Sequence, residues 1–533
     1  MRSVWAVAAG GLAATLSLVS CTGSSGGTSS QASRSPHKFV DGKTFVAATN
    51  SDLGNLDPSV SNAFTGVWVH PTALAYDSLI SVDAEGEPSS LLAEKWQNTT
   101  TTAQFTLRKG ITCSDGSPLV ASDVAANLNY VAAPANKSVL AGQFVKLGST
   151  ATADDATGTI QFTSGAADPF LLQDVGSLPI VCKKGMENRK LLAQGTLGTG
   201  LYKLTAIVPG SQYTLVRRKD YAWGPGEWKN NQPGLPDKII VRVVANPTTT
   251  ANLLLAGDVN YAVALSQRDA PRLSSLFKVE QLLPTGVFLF NEAPGHPTAD
   301  PVVRKAFVQA LNLPEVGKVI GDGAGKPSRQ INEYFVPNVC PGDTVGDRIP
   351  TVDVAAAKSA LDQDGWVPGA DGIRLKDGKR LSVSMPVYSG FQPFTTAAEL
   401  MTKQLKDVGI ALVARGAAGP AFGQAQATGS FDVIVQSWSF PNPSQMVASY
   451  TGKPLTAGGN NLGDVHNERY NQIVAEAATK VGKEGCPQWN EAESELINAL
   501  DVIPFWSTPS IQYGHKAIFS IAQFTWSIRM TED

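Results

Sequence analysis

The stretch from Asp237 to Leu265 constrains the fold of this chain more than any other. Asp237 to Val244 reads Asp-Lys-Ile-Ile-Val-Arg-Val-Val, a β-branched run that predicts a strand. Pro247, three threonines and Ala251 to Ala256 follow as a short helix that Gly257 ends. Asp258 to Leu265 returns as a strand. Strand, helix, strand in that order favours a parallel sheet, hence an α/β fold. The second half repeats the logic. Asp300-Pro301 caps a helix with Val303, Ala306, Phe307, Ala310 and Leu311 on one face. Asp353 starts another with Val354, Ala357 and Leu361 inward and Gly365 beyond its end. Thr396 starts a third with Met401, Leu405 and Val408 inward and Gly409 at the stop. Phe45–Thr49, Gln104–Leu107, Ile410–Val413 and Asp432–Gln436 read as strands, and Asn467–Lys480 and Gln488–Leu500 as the last helices.

The N-terminus sets the compartment. Met1-Arg2 precedes an apolar run from Val4 to Val19, the pattern of a secretory signal over residues 1–20. The run falls short of the roughly 20 residues that span a bilayer. Leu18-Val19-Ser20-Cys21 resembles the lipobox of bacterial lipoproteins, which implies lipidation of Cys21. Thr22 to Ser35 is almost wholly Thr, Ser, Gly, Ala and Gln, a composition that cannot bury a core and suits a flexible tether over residues 21–37. The expected location is the outer face of the cell membrane, through a lipid anchor.

The remaining 513 residues of the 533 have room for about three domains. With Arg2 removed, 42 of the 43 basic side chains face 46 acidic ones, a balance that gives no field for nucleic acid. Cys113, Cys182, Cys340 and Cys486 are an even set in an oxidising compartment. Three pairings are open, as are free thiols. Cys113–Cys182 with Cys340–Cys486 needs no link between the two halves of the chain. No CxxC and no HExxH occurs among the five cysteines and five histidines, so no metal site is expected. Enzyme motifs are thin. Ser35-Pro-His-Lys38 lies in the tether, and Gly321-Asp-Gly-Ala-Gly-Lys326 lacks the P-loop spacing and is followed by Pro327. Neither a catalytic residue nor a cofactor is expected.

Several longer stretches act together. Leu91 to Trp96, Phe105 to Ile111, Ser114-Asp-Gly-Ser-Pro-Leu119 and Ser122-Asp-Val124 stand in sequence. Leu197-Gly-Thr-Gly-Leu-Tyr202, Arg217 to Tyr221 with Trp223, Leu253 to Val259, Asp300 to Ala306, and Gly365-Trp366 with Gly372 to Lys379 follow. In order and spacing this set resembles extracellular solute-binding proteins of the peptide/nickel family, family 5 of the ABC importers. The resemblance implies a two-lobed periplasmic-binding-protein fold of class II type with an extra small α/β subdomain. It places lobe I at residues 38–82, 195–285 and 501–533, the small inserted lobe II at 83–194, and a large lobe III at 286–500. The motifs themselves read as turns and caps that hold the fold.

The implied function is capture of an oligopeptide or related small solute by hinge closure, with delivery to membrane permease subunits by a monomeric receptor. A regulatory or scaffold lipoprotein of the same fold is the alternative, and a secreted hydrolase the remoter one. The family's large lobe carries a strand end with Trp, often followed by Ala-Asp-Tyr-x-Asp-Pro, whose Asp meets a peptide's free amine. Here the stretch is Trp438-Ser439-Phe440-Pro441-Asn442-Pro443, and the acid is missing. A buried ammonium requires a paired charge, so stacking and neutral hydrogen bonds are expected from Trp438, Ser439, Phe440 and Asn442. Further wall candidates are Tyr388, Ser389 and Phe391 after a large-lobe strand, and Asn55, Asp57 and Trp68 in the early segment.

Overall fold

Two long strands, Phe277–Phe290 and Val502–Gly514, pair antiparallel along almost their whole length and organise the molecule. The computed structural model describes residues 37–60, 71–83, 86–226, 228–263, 265–334, 338–520 and 527–532. The expected signal, Cys21 and the expected tether up to residue 36 therefore lie outside the described residues, as does Trp68. The long strands sit in an eight-stranded sheet. Its order is Val433–Gln436, Phe277–Phe290, Val502–Gly514, Tyr261–Ala262, Thr44–Thr49, Lys238–Val243, Gln212–Arg217, Tyr202–Val208.

The expected strand–helix–strand unit is present, with one strand interposed. Lys238–Val243 and Tyr261–Ala262 both run parallel to Thr44–Thr49, one on each side. Helix Pro247–Ala256 makes the crossover, with Asn246 Oδ1 accepting from Thr249 N at 2.9 Å at its start. Its return strand is shorter than the predicted Asp258–Leu265. Gly257 adopts φ 81° and Asp258 N donates back to Leu253 O at 3.0 Å, so the first residues after the helix are spent closing it.

The core divides along the long strands. Phe277 and Val279 pack on a cluster that also holds Phe45, Phe105, Leu128 and Tyr202. Beyond Pro284 the same strand feeds two other clusters in alternation. Phe288 and Phe290 join Phe307, Leu361 and Met401, and Val287 and Leu289 join Tyr470, Trp489 and Leu496. Val433 and Val435 face the former and Ile434 the latter. Burial on both faces is why this sheet end reads as a continuous apolar run. Between the two regimes the register shifts at Pro284, Gly286 and Val287. A Cβ on Gly286 would meet the Phe505 ring at 2.8 Å, so only glycine fits the bulge.

A smaller four-stranded sheet orders Ala93–Asn98, Thr102–Leu107, Thr159–Thr163 and Thr150–Asp154, with helix Ala121–Ala132 packed on it. Cys113–Cys182 closes a loop in this small unit, and Cys340–Cys486 ties a large-half loop to helix Cys486–Asn498. Helix Pro301–Gln309 is capped by Asp300, whose Oδ1 accepts from Val302 N at 2.8 Å. Asp353 caps Val354–Gln363, though Val354 itself is exposed at its first turn. The helix expected from Thr396 spans Gln392–Lys406 instead. Pro393 suits its first turn, and Thr396 Oγ1 turns inward to Gln392 O. Among the described residues no helix is long and apolar enough to cross a membrane.

Candidate functional site

The family-like motifs converge on one buried acid. Trp223 Nε1 and Thr199 Oγ1 donate to Asp77 Oδ2 at 2.9 and 3.1 Å, and the Tyr221 hydroxyl reaches Oδ1 at 3.4 Å. Burial pushes the Asp77 carboxyl up to about 6, against the pull of those donors. The buried Arg218 donates to Thr112 O and Thr199 O at 3.0 and 3.1 Å and pairs with Asp220 at 2.7 Å. The motif residues Thr199, Tyr221 and Trp223 are thus bound to one another through the fold and hold a loop junction.

The strand end expected to carry the site has a different character. Strand Val433–Gln436 runs out beside the bulge, where Trp438 N donates to Pro284 O at 3.2 Å. Phe440 N donates to Asn332 Oδ1 at 3.1 Å. The Trp438 and Phe440 rings meet edge-on at 5.6 Å, both half-buried. Around them four buried polar atoms have no hydrogen-bond partner: Thr285 Oγ1, Asn332 Nδ2, Trp438 Nε1 and Ser439 Oγ. Trp438 also lies beside Tyr450, whose hydroxyl burial holds well above the usual phenol range, but the two do not reach hydrogen-bonding geometry. Buried polar groups are nearly always paired. Three of the orphans lie on the bulge and the strand end, the fourth, Asn332, on a loop that meets Phe440, and two aromatic rings flank them. Two of the four are donors only and two are hydroxyls. Glu493, which accepts from Ile331 N at 2.7 Å, is raised by burial to about 7, and burial also raises Glu333.

Asn442 is bonded away from these atoms. Its Oδ1 accepts from Gln445 N at 3.2 Å and Ser444 Oγ at 2.8 Å, and its Nδ2 donates to Asp174 Oδ1 at 2.8 Å. It is buried and fully engaged, joining the large half to helix Leu171–Gly176 of the small unit. Tyr388 ends strand Ser382–Tyr388, which runs parallel to Ala411–Ala417, and Ser389 and Phe391 lie past its carboxyl end. Tyr388 and Phe391 are exposed, and Tyr388 meets Phe422 edge-on at 6.0 Å. Helix Gly419–Ala427, which carries Phe422, reaches the Trp438 segment through Gln426 Nε2, which donates to Gln436 Oε1 at 2.8 Å. Asp57 is buried in an ion pair with Arg189 (Nε to Oδ2 2.8 Å), whose guanidinium lies 3.9 Å over the Tyr130 ring. Asn55 is exposed and accepts from Asp57 N at 2.9 Å. This segment is held by the small unit. A groove of about 610 Å³ lined by Arg348, Arg469 and Glu491 carries none of these residues.

Sequence reasoning missed Thr285, Asn332 and Tyr450. Thr285 was signalled: Pro284 and Gly286 inside a β-rich run mark a bulge. Asn332 and Tyr450 carry no local signal. No group of three or more metal-ligating side chains occurs among the described residues.

Known proteins bear on this geometry. Residues 87–458 match the family model for bacterial extracellular solute-binding proteins, family 5 (middle region). Protein XP55 of Streptomyces lividans is 28% identical over 376 residues, which cover 68% of this chain and 65% of that protein. The glutathione-binding protein GsiB of Escherichia coli K12 is 26% identical over 294 residues, 54% of this chain and 55% of GsiB. The chain thus spans less than two thirds of the length of each of these curated relatives. A substrate-binding protein from Microbacterium hydrocarbonoxydans, solved with 4-hydroxybenzoate hydrazide, shares the fold. Its TM-score is 0.71 at 23% identity, over 92% of this chain and all of that one. The matched region covers well over half of the sequence, and the two-lobed α/β architecture agrees with it: this chain belongs to the bacterial extracellular solute-binding proteins of family 5.

Proposed function

We propose that this protein is a lipid-anchored receptor that closes its lobes over a small peptide or similarly neutral polar solute and delivers it to an importer. The observation that carries the reading is the set of unpartnered buried atoms at Thr285, Asn332, Trp438 and Ser439 beside the Trp438 and Phe440 rings. Such a set suits a solute that stacks on an aromatic and offers neutral acceptors, such as an amide carbonyl or hydroxyl. GsiB is named for binding glutathione, itself a short peptide, which supports that class. The proposed lobes are residues 38–82, 195–285 and 501–533 for lobe I, 83–194 for lobe II and 286–500 for lobe III. The two long strands, bulged at Gly286, serve as the hinge. The proposed anchor is Cys21, and the receptor acts as a monomer.

Native mass spectrometry of the purified protein tests the reading. A bound small molecule that contains an aromatic ring or amide backbone, lost when Trp438 is replaced by Ala, is the expected result. A complex with another envelope protein and no small molecule would sink it. Cys21→Ala should move the protein from the membrane to the aqueous fraction.

A further inference from the structure

The small unit and the large half meet at a buried carboxyl, Asp174, with Asp168 beside it. Asp174, on helix Leu171–Gly176, receives two amide donors from the large half: Asn442 Nδ2 at 2.8 Å and Gln445 Nε2 at 2.9 Å, both on Oδ1. Gln143 Nε2 of the small unit donates to Gln445 Oε1 at 3.1 Å. Beside them Phe170, wholly buried, inserts into the large-half core 6.3 Å from Trp489, and Gly482 N donates to Pro169 O at 2.8 Å. Asp174 is 2% exposed and Asp168 0%.

The charges at this junction do not balance. Asp168 and Asp174 interact with one another, and the cation between them is Lys146, whose Nζ lies 3.5 Å from Asp168 Oδ2. The other faces add no charge. Helix Pro443–Met446 presents neutral Gln445, with Asn442 at its cap, and strands Ile80–Val82 and Thr102–Leu107 beneath helix Leu171–Gly176 carry no titratable side chain. Two buried carboxylates and one ammonium leave a net negative charge away from water, at a cost of several kcal/mol. One proton on the pair removes it.

We propose that lobe closure is proton-linked through this junction: the closed form carries a proton on Asp174, beside the Asp168 carboxylate, and opening releases it. Burial first and the Asp168 charge second raise Asp174 well above the usual carboxylate range, which agrees with this direction. The sign follows. The closed form binds more protons than the open form, in which Asp174 leaves Asn442 and Gln445 for water and returns to the ordinary carboxylate value of about 3.9. Closure is therefore favoured fully below that value and weakens as pH rises through the closed-state pKa. The other charged groups across the same junction are the exposed pair Lys483–Glu87, 2.6 Å apart.

The inference rests on the lobes moving about the hinge, so its test separates the two. The probe is the distance between spin labels at Glu94→Cys and Lys403→Cys, both exposed, in the full chain carrying Cys21→Ser. The closed-to-open ratio should fall with rising pH between 5 and 8, by up to tenfold per unit for one proton. Asp174→Asn, which keeps an acceptor for Asn442 and Gln445, should remove that slope. If that variant does not fold, Asp168→Asn reads the same linkage. Asn442→Ala with Gln445→Ala should lengthen the distance at every pH. A wild-type ratio that ignores pH, or a slope that survives loss of either carboxyl, overturns the proton linkage while a lengthened latch variant keeps the hinge. No lengthening in the latch variant and no pH response overturns both.

Discussion

Two buried polar sites in this protein handle hydrogen bonding in opposite ways. Around Asp77, the groups of Thr199, Tyr221 and Trp223 all find the carboxylate. At the end of strand Val433–Gln436, Thr285, Asn332, Trp438 and Ser439 each leave a buried atom unpaired. A satisfied network rigidifies a fold, and an unsatisfied one stores a cost that only a partner can relieve. The contrast separates motif residues bonded within the fold from the residues proposed to meet the solute, although both sets are aromatic and polar. It also separates two kinds of perturbation. Substitutions at the first site should act on stability, and those at the second on binding.

The largest effect is expected at the satisfied site. Asp77→Ala leaves the Thr199 and Trp223 donors without their acceptor and should cost roughly 3–5 kcal/mol in urea unfolding. A loss under about 1 kcal/mol would mean that these motifs do not depend on Asp77.

Next comes pH. Asp77 is raised to about 6 and Glu493 to about 7, both mainly by burial, so the folded state binds more protons than the unfolded one. Their contributions are fully present below about pH 4, the unfolded carboxyl range, and are lost as pH rises through those values. Stability should thus decline between about pH 4 and 7, by up to roughly 3 kcal/mol for each group. Glu493→Gln should flatten the upper part of that decline. An unfolding midpoint that is constant across this range, or rises, contradicts the assignment.

At the unsatisfied site, Trp438→Ala should leave the fold intact and weaken capture of the co-purified solute by about 2 kcal/mol, or some thirtyfold. Salt should matter little to the wild-type affinity, because a stacked, neutral contact has no net charge to screen. Titration calorimetry at low and high salt checks both. Unchanged affinity removes this strand end from the site, and a steep salt dependence points to a charged contact.

The same contrast explains what the sequence made legible. Asp300-Pro301 and Asp353 announce helix starts because a cap needs only one side chain and the next turn. Strand Lys238–Val243 declares itself by β-branching, and the burial of Val433–Val435 on both faces is visible as an apolar run. Trp438 and Phe440 stood out as aromatics at a strand end. Asn442 was legible as a neutral residue at that end, but not as a latch, because its partner Asp174 lies 268 positions away. Asp57 likewise finds Arg189 across 132 positions. Asn332 is brought to Phe440 by a loop with no periodic pattern. Contacts made within a turn are written locally, and contacts made by lobe packing are not.

The smallest effect is the one that distinguishes the two sites by sign. Thr199→Val removes a hydroxyl that donates to Asp77 and should destabilise the protein by about 1 kcal/mol. Ser439→Ala removes a buried hydroxyl that has no partner. The desolvation cost of that hydroxyl disappears with it, so the ligand-free protein should become more stable by up to about 1 kcal/mol. Thr285→Val, close in shape, should act the same way. Both changes should weaken solute binding, since the lost group is one the solute would satisfy. Urea unfolding of the ligand-free protein, beside calorimetry with the co-purified solute, reads the two signs separately. Ser439→Ala that destabilises as Thr199→Val does would show a hydroxyl already used by the fold, and the two sites would then be alike.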